Sequence, residues 1–213
     1  VTVTSTSATA SQLTTVAGAT GLNVTATAVE AISNSSVAQV KSLLTDEGST
    51  GDKVNLDGNF TVAINDTGTV DAADLNTINS ATSGLVTATG VATLTGTASA
   101  ITTLIGNEGT SGDKVNLDSD YLVTITDTGS VAASDLSTIN AATTGLVTAT
   151  SVATLTGTAA AINTLVGNEG DSGDKVNLDS DYVATLTDTT ITATVLNAVA
   201  VSYTHLRAHE TTS

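Results

Sequence analysis

Gly106-Asn107-Glu108-Gly109-Thr110-Ser111-Gly112-Asp113-Lys114-Val115-Asn116-Leu117-Asp118-Ser119-Asp120-Tyr121 decides how the chain is read, because it occurs three times. Glu47, Glu108 and Glu169 hold the same place in it, and 108 − 47 and 169 − 108 both equal 61. The run Gly-Asp-Lys-Val-Asn-Leu-Asp is unchanged at 51–57, 112–118 and 173–179. A fixed period of this kind marks a repeat architecture, in which each copy buries its apolar face by stacking on the next.

The period divides again. Leu94-Thr95-Gly96-Thr97 and Ile125-Thr126-Asp127-Thr128 lie 31 apart, and Leu155-Thr156-Gly157-Thr158 follows 30 later. Two alternating coils of about thirty residues, A and B, are therefore expected in each copy, each running strand, short helix, return strand. The expected coils are B 1–26, A 27–61, B 62–90, A 91–121, B 122–151, A 152–182 and B 183–200. In coil A the strand spans 91–95. Thr97 is placed to cap a helix whose Ile101, Leu104 and Ile105 fall at i, i+3 and i+4, a single apolar stripe. Gly106 or Asn107 is expected to end it in a left-handed cap. In coil B the strand spans 122–126, Ser130 is placed as the cap, Leu136 and Ile139 form the stripe, and Gly145 ends the helix. The first 35 residues read as a worn copy, with Leu13 and Val16 on the helix. The predicted fold class is a β-rich α/β solenoid with strands stacked in parallel from coil to coil and the acidic loops in one file. Leu94, Ile101, Leu104, Ile125, Leu136 and Ile139 should lie inside.

Composition fits narrow, regular layers. The chain is 40% hydrophobic, with one Phe and neither Trp nor Met, so the core must be Val, Leu, Ile and Ala. Thr makes up about a fifth of the residues and suits a half-buried pleated surface. There is no Pro, so turns rest on Gly, Asn, Asp and Thr. A net charge of −16, from 21 acids against five Lys and Arg, argues against nucleic acid and against an anionic membrane face. No apolar run reaches the roughly 20 residues of a membrane span. The chain has no Cys, hence neither disulfides nor thiolate metal sites. Lacking any Met, it reads as processed or as a fragment, so a missing signal peptide does not argue for the cytoplasm.

The acidic loop is the candidate site. Glu47, Asp52 and Asp57, then Glu108, Asp113, Asp118 and Asp120, then Glu169, Asp174, Asp179 and Asp181 supply hard oxygens in every copy, with Asn116 beside them. Calcium takes six to eight such oxygens, and if it binds, Glu108, Asp113, Asp118 and Asp120 should converge. The spacing is neither that of an EF-hand nor that of a nine-residue calcium β-roll. Lys53, Lys114 and Lys175 put a cation into each loop, so the competing reading is a solvated turn in which Lys bridges the acids. Threonine pairs such as Thr87/Thr89, Thr95/Thr97 and Thr148/Thr150 would suit an ice-binding face, against strand preference and capping. Asp127, between Thr126 and Thr128, is expected to point away. Asn23, Asn34, Asn59 and Asn65 begin Asn-x-Ser/Thr sequons, and the dense Thr and Ser could carry O-linked glycans. No catalytic constellation is present, and carboxylates 61 apart do not converge in a pocket, so no enzyme is expected.

Two resemblances bear on the reading. The runs Asp135-Leu136-Ser137-Thr138-Ile139-Asn140-Ala141-Ala142-Thr143-Thr144-Gly145 and Val152-Ala153-Thr154-Leu155-Thr156-Gly157-Thr158-Ala159-Ala160 resemble tandem repeats of very large acidic cell-surface proteins of aquatic bacteria, notably marine cyanobacteria. That resemblance implies export, length and a surface or structural role, and it carries no catalytic residue. The tail 201–213 breaks the pattern and holds both histidines and the only Arg. It resembles read-through of sequencing adaptor and is set aside, although His205 and His209 at i, i+4 have the spacing of metal ligands on a helix.

The expected function is an extracellular structural protein that assembles with itself, head to tail, into a filament, sheath or surface layer. Val1-Thr2-Val3-Thr4 starts a B-type strand in register with Val62-Ala63-Ile64-Asn65, and 191–199 stops in a B-type coil, so each end offers an incomplete layer. The alternative is an adhesive or spacer segment of a larger calcium-binding surface protein.

Overall fold

The computed structural model describes residues 1–192 except Asp52, together with Thr194 and Asn197. Strands and helices alternate along the chain, and the strands pair in parallel. The worn copy and the A coil after it hold β1 (Ser7–Ala8), α1 (Ala10–Thr20), β2 (Val24–Ala26), β3 (Ala31–Ser35), α2 (Val37–Thr45) and β4 (Val54–Leu56). Next come β5 (Thr61–Ile64), β6 (Thr69–Asp71), α3 (Ala72–Ser80), β7 (Val86–Thr87), β8 (Thr93–Gly96), α4 (Ala98–Gly106) and β9 (Val115–Asn116). The following copy holds β10 (Leu122–Ile125), β11 (Ser130–Ala132), α5 (Ala133–Ala142), β12 (Val147–Ala149), β13 (Thr154–Gly157), α6 (Ala159–Gly167) and β14 (Val176–Leu178), before β15 (Val183–Leu186).

The chain divides into two compact units: Val1–Thr93 with Thr103–Asp118, and Leu94–Thr102 with the residues from Ser119 onward. In the first, five strands run in the order β1-β3-β5-β7-β9, with β2-β4 as a separate pair. In the second, β14-β12-β10-β8 form one set and β11-β13-β15 another. Like residues stack in register. Val62 pairs with Val86, and Val86 with Val115. Val123, Val147 and Val176 repeat this with every number raised by 61. All six are at most 1% exposed, so within each set the paired strands place the same small branched side chain side by side. Burying each stabilises the fold by about 1.5–3 kcal/mol relative to exposure.

The expected core residues Leu94, Ile101, Leu104, Ile125, Leu136 and Ile139 are at most 2% exposed. One aromatic per copy joins them: Phe60, Tyr121 and Tyr182 are all buried. The coil plan itself needs correction. B coils place two strands before the helix, β5 then β6 and β10 then β11, because Asp66-Thr67-Gly68 and Asp127-Thr128-Gly129 interrupt the extended run. β5, β10 and β15, 61 apart in sequence, each belong to a different parallel set.

Helix starts follow two patterns. In A helices a hydroxyl caps locally: Thr97 Oγ1 accepts from Ala100 N at 3.1 Å and Thr158 Oγ1 from Ala161 N at 3.2 Å. Ser36 and Gln39 close a capping box on α2, as Thr9 and Gln12 do on α1. A second acceptor arrives from 29 residues further along the chain. Asp66, Asp127 and Asp188 each take the first helical amide, of Val37, Ala98 and Ala159 respectively, at 2.7 Å. Asp127 is thus a cap for a helix 29 residues upstream. In B helices Asp71 caps α3 through Ala73 N at 2.8 Å, but its counterpart on α5 is Ala132, with no side-chain cap. Ser130, expected there, lies in β11, two residues too early.

Helix ends differ from expectation too. Among the described residues only α1 ends in a left-handed residue, Gly21 at φ 60. Asn168, after α6, has φ −101 and keeps its amide on Leu165 O. Gly145 lies beyond Thr143, the C-cap of α5. There Thr143 Oγ1 donates to Tyr121 O at 2.6 Å and accepts from Gly145 N at 3.0 Å. Thr82 makes the same pair of bonds with Phe60 O and Gly84 N.

Candidate functional site

Each acidic loop begins where an A helix stops. After α4 the amides of Asn107 and Glu108 still donate to Leu104 O and Ile105 O, at 3.0 Å each. The loop then closes through its own backbone: Val115 N donates to Asn107 O at 2.9 Å and Gly109 N to Val115 O at 3.0 Å. Glu108 and Val115 form a parallel bridge, as do Glu47 with Val54 and Glu169 with Val176. At the tip Gly51, Gly112 and Gly173 take φ 71, 68 and 68, where a Cβ would be strained.

Lys53 and Lys114 turn back toward the helix rather than across the acids. Their Nζ atoms donate to Thr45 O at 3.1 Å and Gly106 O at 3.5 Å. The stems lie over glycines: a Cβ built on Gly48, Gly109 or Gly170 would meet the Cγ of Lys53, Lys114 or Lys175 at 3.2, 3.0 and 3.0 Å. A cation placed there complements the negative end of the helix dipole and satisfies a last-turn carbonyl.

The acids are dispersed. Glu47, Asp57, Asp113, Asp118, Asp120, Asp174 and Asp181 are exposed; Glu108, Glu169 and Asp179 are half-buried; Asp52 lies outside the described residues. Asp57 Oδ1 accepts from Gly58 N at 2.8 Å and Asp179 Oδ1 from Asp181 N at 3.4 Å, both local turn contacts. Burial pushes the Glu108 carboxyl above its ordinary value of 4.5. Among the described residues no three acids gather as a metal site, so the loops do not bring Glu108, Asp113, Asp118 and Asp120 to one point. Asn116 sits in β9 with its backbone in the sheet. His205 and His209 lie outside the described residues.

Other candidates are partly engaged in the fold. Thr97 and Thr158 are helix caps, and Thr156 Oγ1 donates to Val131 O at 3.3 Å. The Asn23 amide donates to Gly48 O and Lys53 O, at 3.0 and 3.1 Å. The Asn65 amide donates to Asn34 O at 3.3 Å. Against protein-family models, curated proteins and solved structures the chain gives no match.

The structure adds a position the sequence reading passed over. Asn140 belongs to the buried stripe of α5 with Leu136 and Ile139, and only 8% of it is exposed. Its Nδ2 donates to Asp174 Oδ1 at 3.2 Å, while its Oδ1 is buried without a hydrogen-bond partner. A cavity of about 350 Å³ opens there, lined by Asn140, Asp174, Asn168, Ser119, Thr143 and Thr144 among others. Asn79, 61 residues earlier, repeats the buried, unpartnered Oδ1. The signal was legible: a polar residue on an apolar helical stripe, twice, one period apart.

Proposed function

We propose that this chain is a structural repeat protein of the extracellular space or cell surface, built as a solenoid and joining head to tail with further copies of itself. The observation that carries the reading is the stacking of like residues. Val62, Val86 and Val115 form one run of paired positions, and Val123, Val147 and Val176 another. A layer that presents the same side chains at the same register is complementary to another layer of its kind, which favours growth by addition. The net charge of −16 supports the same reading, since it keeps neighbouring assemblies apart sideways. No helix among the described residues is long and apolar enough to cross a membrane. Export is supported by the resemblance to large acidic surface proteins. Sedimentation velocity over a concentration series, with electron microscopy of the same samples, tests the proposal. The expected result is growth in one dimension as concentration rises. A single monomeric species at every concentration overturns self-assembly, and a compact particle by small-angle scattering overturns the solenoid.

A further inference from the structure

We propose that Asn59 is the acceptor of an N-linked glycan, the one of the four sequons whose place in the fold suits it. The first ground is a comparison of copies. The acidic loop is followed by Gly58-Asn59-Phe60-Thr61, by Ser119-Asp120-Tyr121-Leu122 and by Ser180-Asp181-Tyr182-Val183. Where two copies have Asp and an apolar residue, the first has Asn and Thr, and the two departures together make the sequon. The second ground is the setting of each side chain. Gly58 N donates to Asp57 Oδ1 at 2.8 Å and Ser83 N to Gly58 O at 2.9 Å, so the main chain fixes the turn. Asn59 is exposed on it, and no hydrogen bond among the described residues holds its amide. Asn23 spends both amide protons, on Gly48 O and Lys53 O at 3.0 and 3.1 Å, and a sugar there would displace one of them. Asn65 Nδ2 donates to Asn34 O and Oδ1 at 3.3 and 3.4 Å, so a glycan on either stands against the other. Asn59 instead borders a cavity of about 570 Å³ whose lining includes Thr6, Thr27, Glu30, Asp57 and Thr61. Their hydroxyls and carboxylates are partners for the hydroxyls of a first sugar. Some N-glycosyltransferases also read an acid two residues before the asparagine. Asp57 stands there, against Gly21, Ile32 and Ala63 in the other three sequons.

The donor is a lipid-linked glycosyl diphosphate. Asn59 Nδ2 bonds to the anomeric carbon, the bond from that carbon to the diphosphate oxygen breaks, and the electron pair leaves on the oxygen. One amide proton passes to a base of the transferase, and nothing is oxidised or reduced. Phe60 is 1% exposed, and Thr61 opens β5 with its Oγ1 donating to Glu30 O at 3.2 Å. A transferase that grips Asn-x-Thr cannot do so in the folded chain, so transfer precedes folding and the fold decides which glycan is tolerated. The inference rests on export, as in the proposed function, but not on head-to-tail assembly. The test below supplies export itself, so its failure bears on Asn59 and not on localisation.

The full chain is expressed behind a secretion leader in cells that make a lipid-linked oligosaccharide, and the folded, secreted protein is collected. Peptide-N-glycosidase in heavy-oxygen water then converts each glycosylated Asn to labelled Asp, which peptide mass spectrometry locates. The expected result is a label at residue 59, with occupancy several-fold above that of Asn23, Asn34 and Asn65. Asn59→Gln should lose the label. Thr61→Val should lose it too while keeping the asparagine, and it installs a residue that the third copy already holds in that place, Val183. The double variant Asp120→Asn, Leu122→Thr carries both departures into the second copy and should gain a second label, at residue 120. Secreted protein with Asn59 unlabelled overturns the proposal. So does labelling of Asn23 to the same extent, since the fold would then not select among the sequons. A label that survives Thr61→Val marks spontaneous deamidation and overturns it as well.

Discussion

The two kinds of helix in this chain are held in opposite ways. A helices are secured by side chains that reach. Asp127 comes from 29 residues further along the chain to the first amide of α4, and Lys114 folds back to its last carbonyl. The B helices α3 and α5 instead end in close contacts, made by a threonine side chain and by main chain. After α5, Thr143 clamps Tyr121 O, and a Cβ on Gly145 would lie 2.3 Å from that same oxygen. Gly84 meets Phe60 O at the same 2.3 Å. A reaching side chain leaves slack, and the acidic loops occupy it. The turns after α3 and α5 leave no room for a Cβ at Gly84 or Gly145.

Glycine substitutions should show the contrast at its largest. Gly145→Ala forces main chain against main chain, so a loss of about 3 kcal/mol or more is expected. Gly109→Ala meets the Lys114 stem first, its Cγ at 3.0 Å, and should cost no more than about 1 kcal/mol, because the outer part of that side chain can swing away. Urea midpoints of the two variants at constant m decide it. Equal losses would erase the distinction between the two helix ends.

The next effects concern the starts. Asp127→Ala removes the acceptor from Ala98 N and should cost about 1–2 kcal/mol. The loss should appear although Thr97 still caps Ala100 N at 3.1 Å. A variant as stable as the parent would show this long-range bond to be dispensable. Ala132→Asp runs the other way. It copies Asp71, whose carboxylate takes Ala73 N at 2.8 Å, into a position with no side-chain cap. A gain of about 0.5–1 kcal/mol is expected, and a loss would mean that α5 starts differently from α3.

What the sequence made legible was local. The stripe of Ile101 and Leu104 and the Thr97 cap are separations of three or four residues, within one helical turn. The expectation of parallel strands came instead from the 61-residue period and its division in two. What escaped was held at a distance. Alternation along a strand suggested that Asp127 points away, yet its partner amide is 29 residues upstream. Gly145 looked like a helix stop because glycine usually is one there, whereas its reason is Tyr121 O, 24 positions back (145 − 121). The acidic loops differ from expectation in the same way. Acids close in sequence were expected to converge, but the loop spends its backbone on the Glu108–Val115 bridge. Asp174 finds a buried polar partner in Asn140, 34 residues away.

The smallest effect tests the slack in an acidic loop through its own charge. Burial raises the Glu108 carboxyl above 4.5, because its half-buried position disfavours the anion. Between 4.5 and that raised value the folded chain binds more protons than the unfolded one, so stability falls as pH rises through the window. Glu108→Gln removes the ionisation and keeps the shape. The variant should match the parent near pH 3, where both side chains are neutral, and should be the more stable near pH 7, where only the parent must bury part of an anion. Urea midpoints at the two pH values give the difference directly. The gain should be smaller than that of Ala132→Asp, since a half-buried carboxylate keeps much of its hydration. A parent that outlasts the variant near pH 7 would mean that the Glu108 anion holds a partner in the loop, and the A-helix end would then be a fixed structure like the B-helix end.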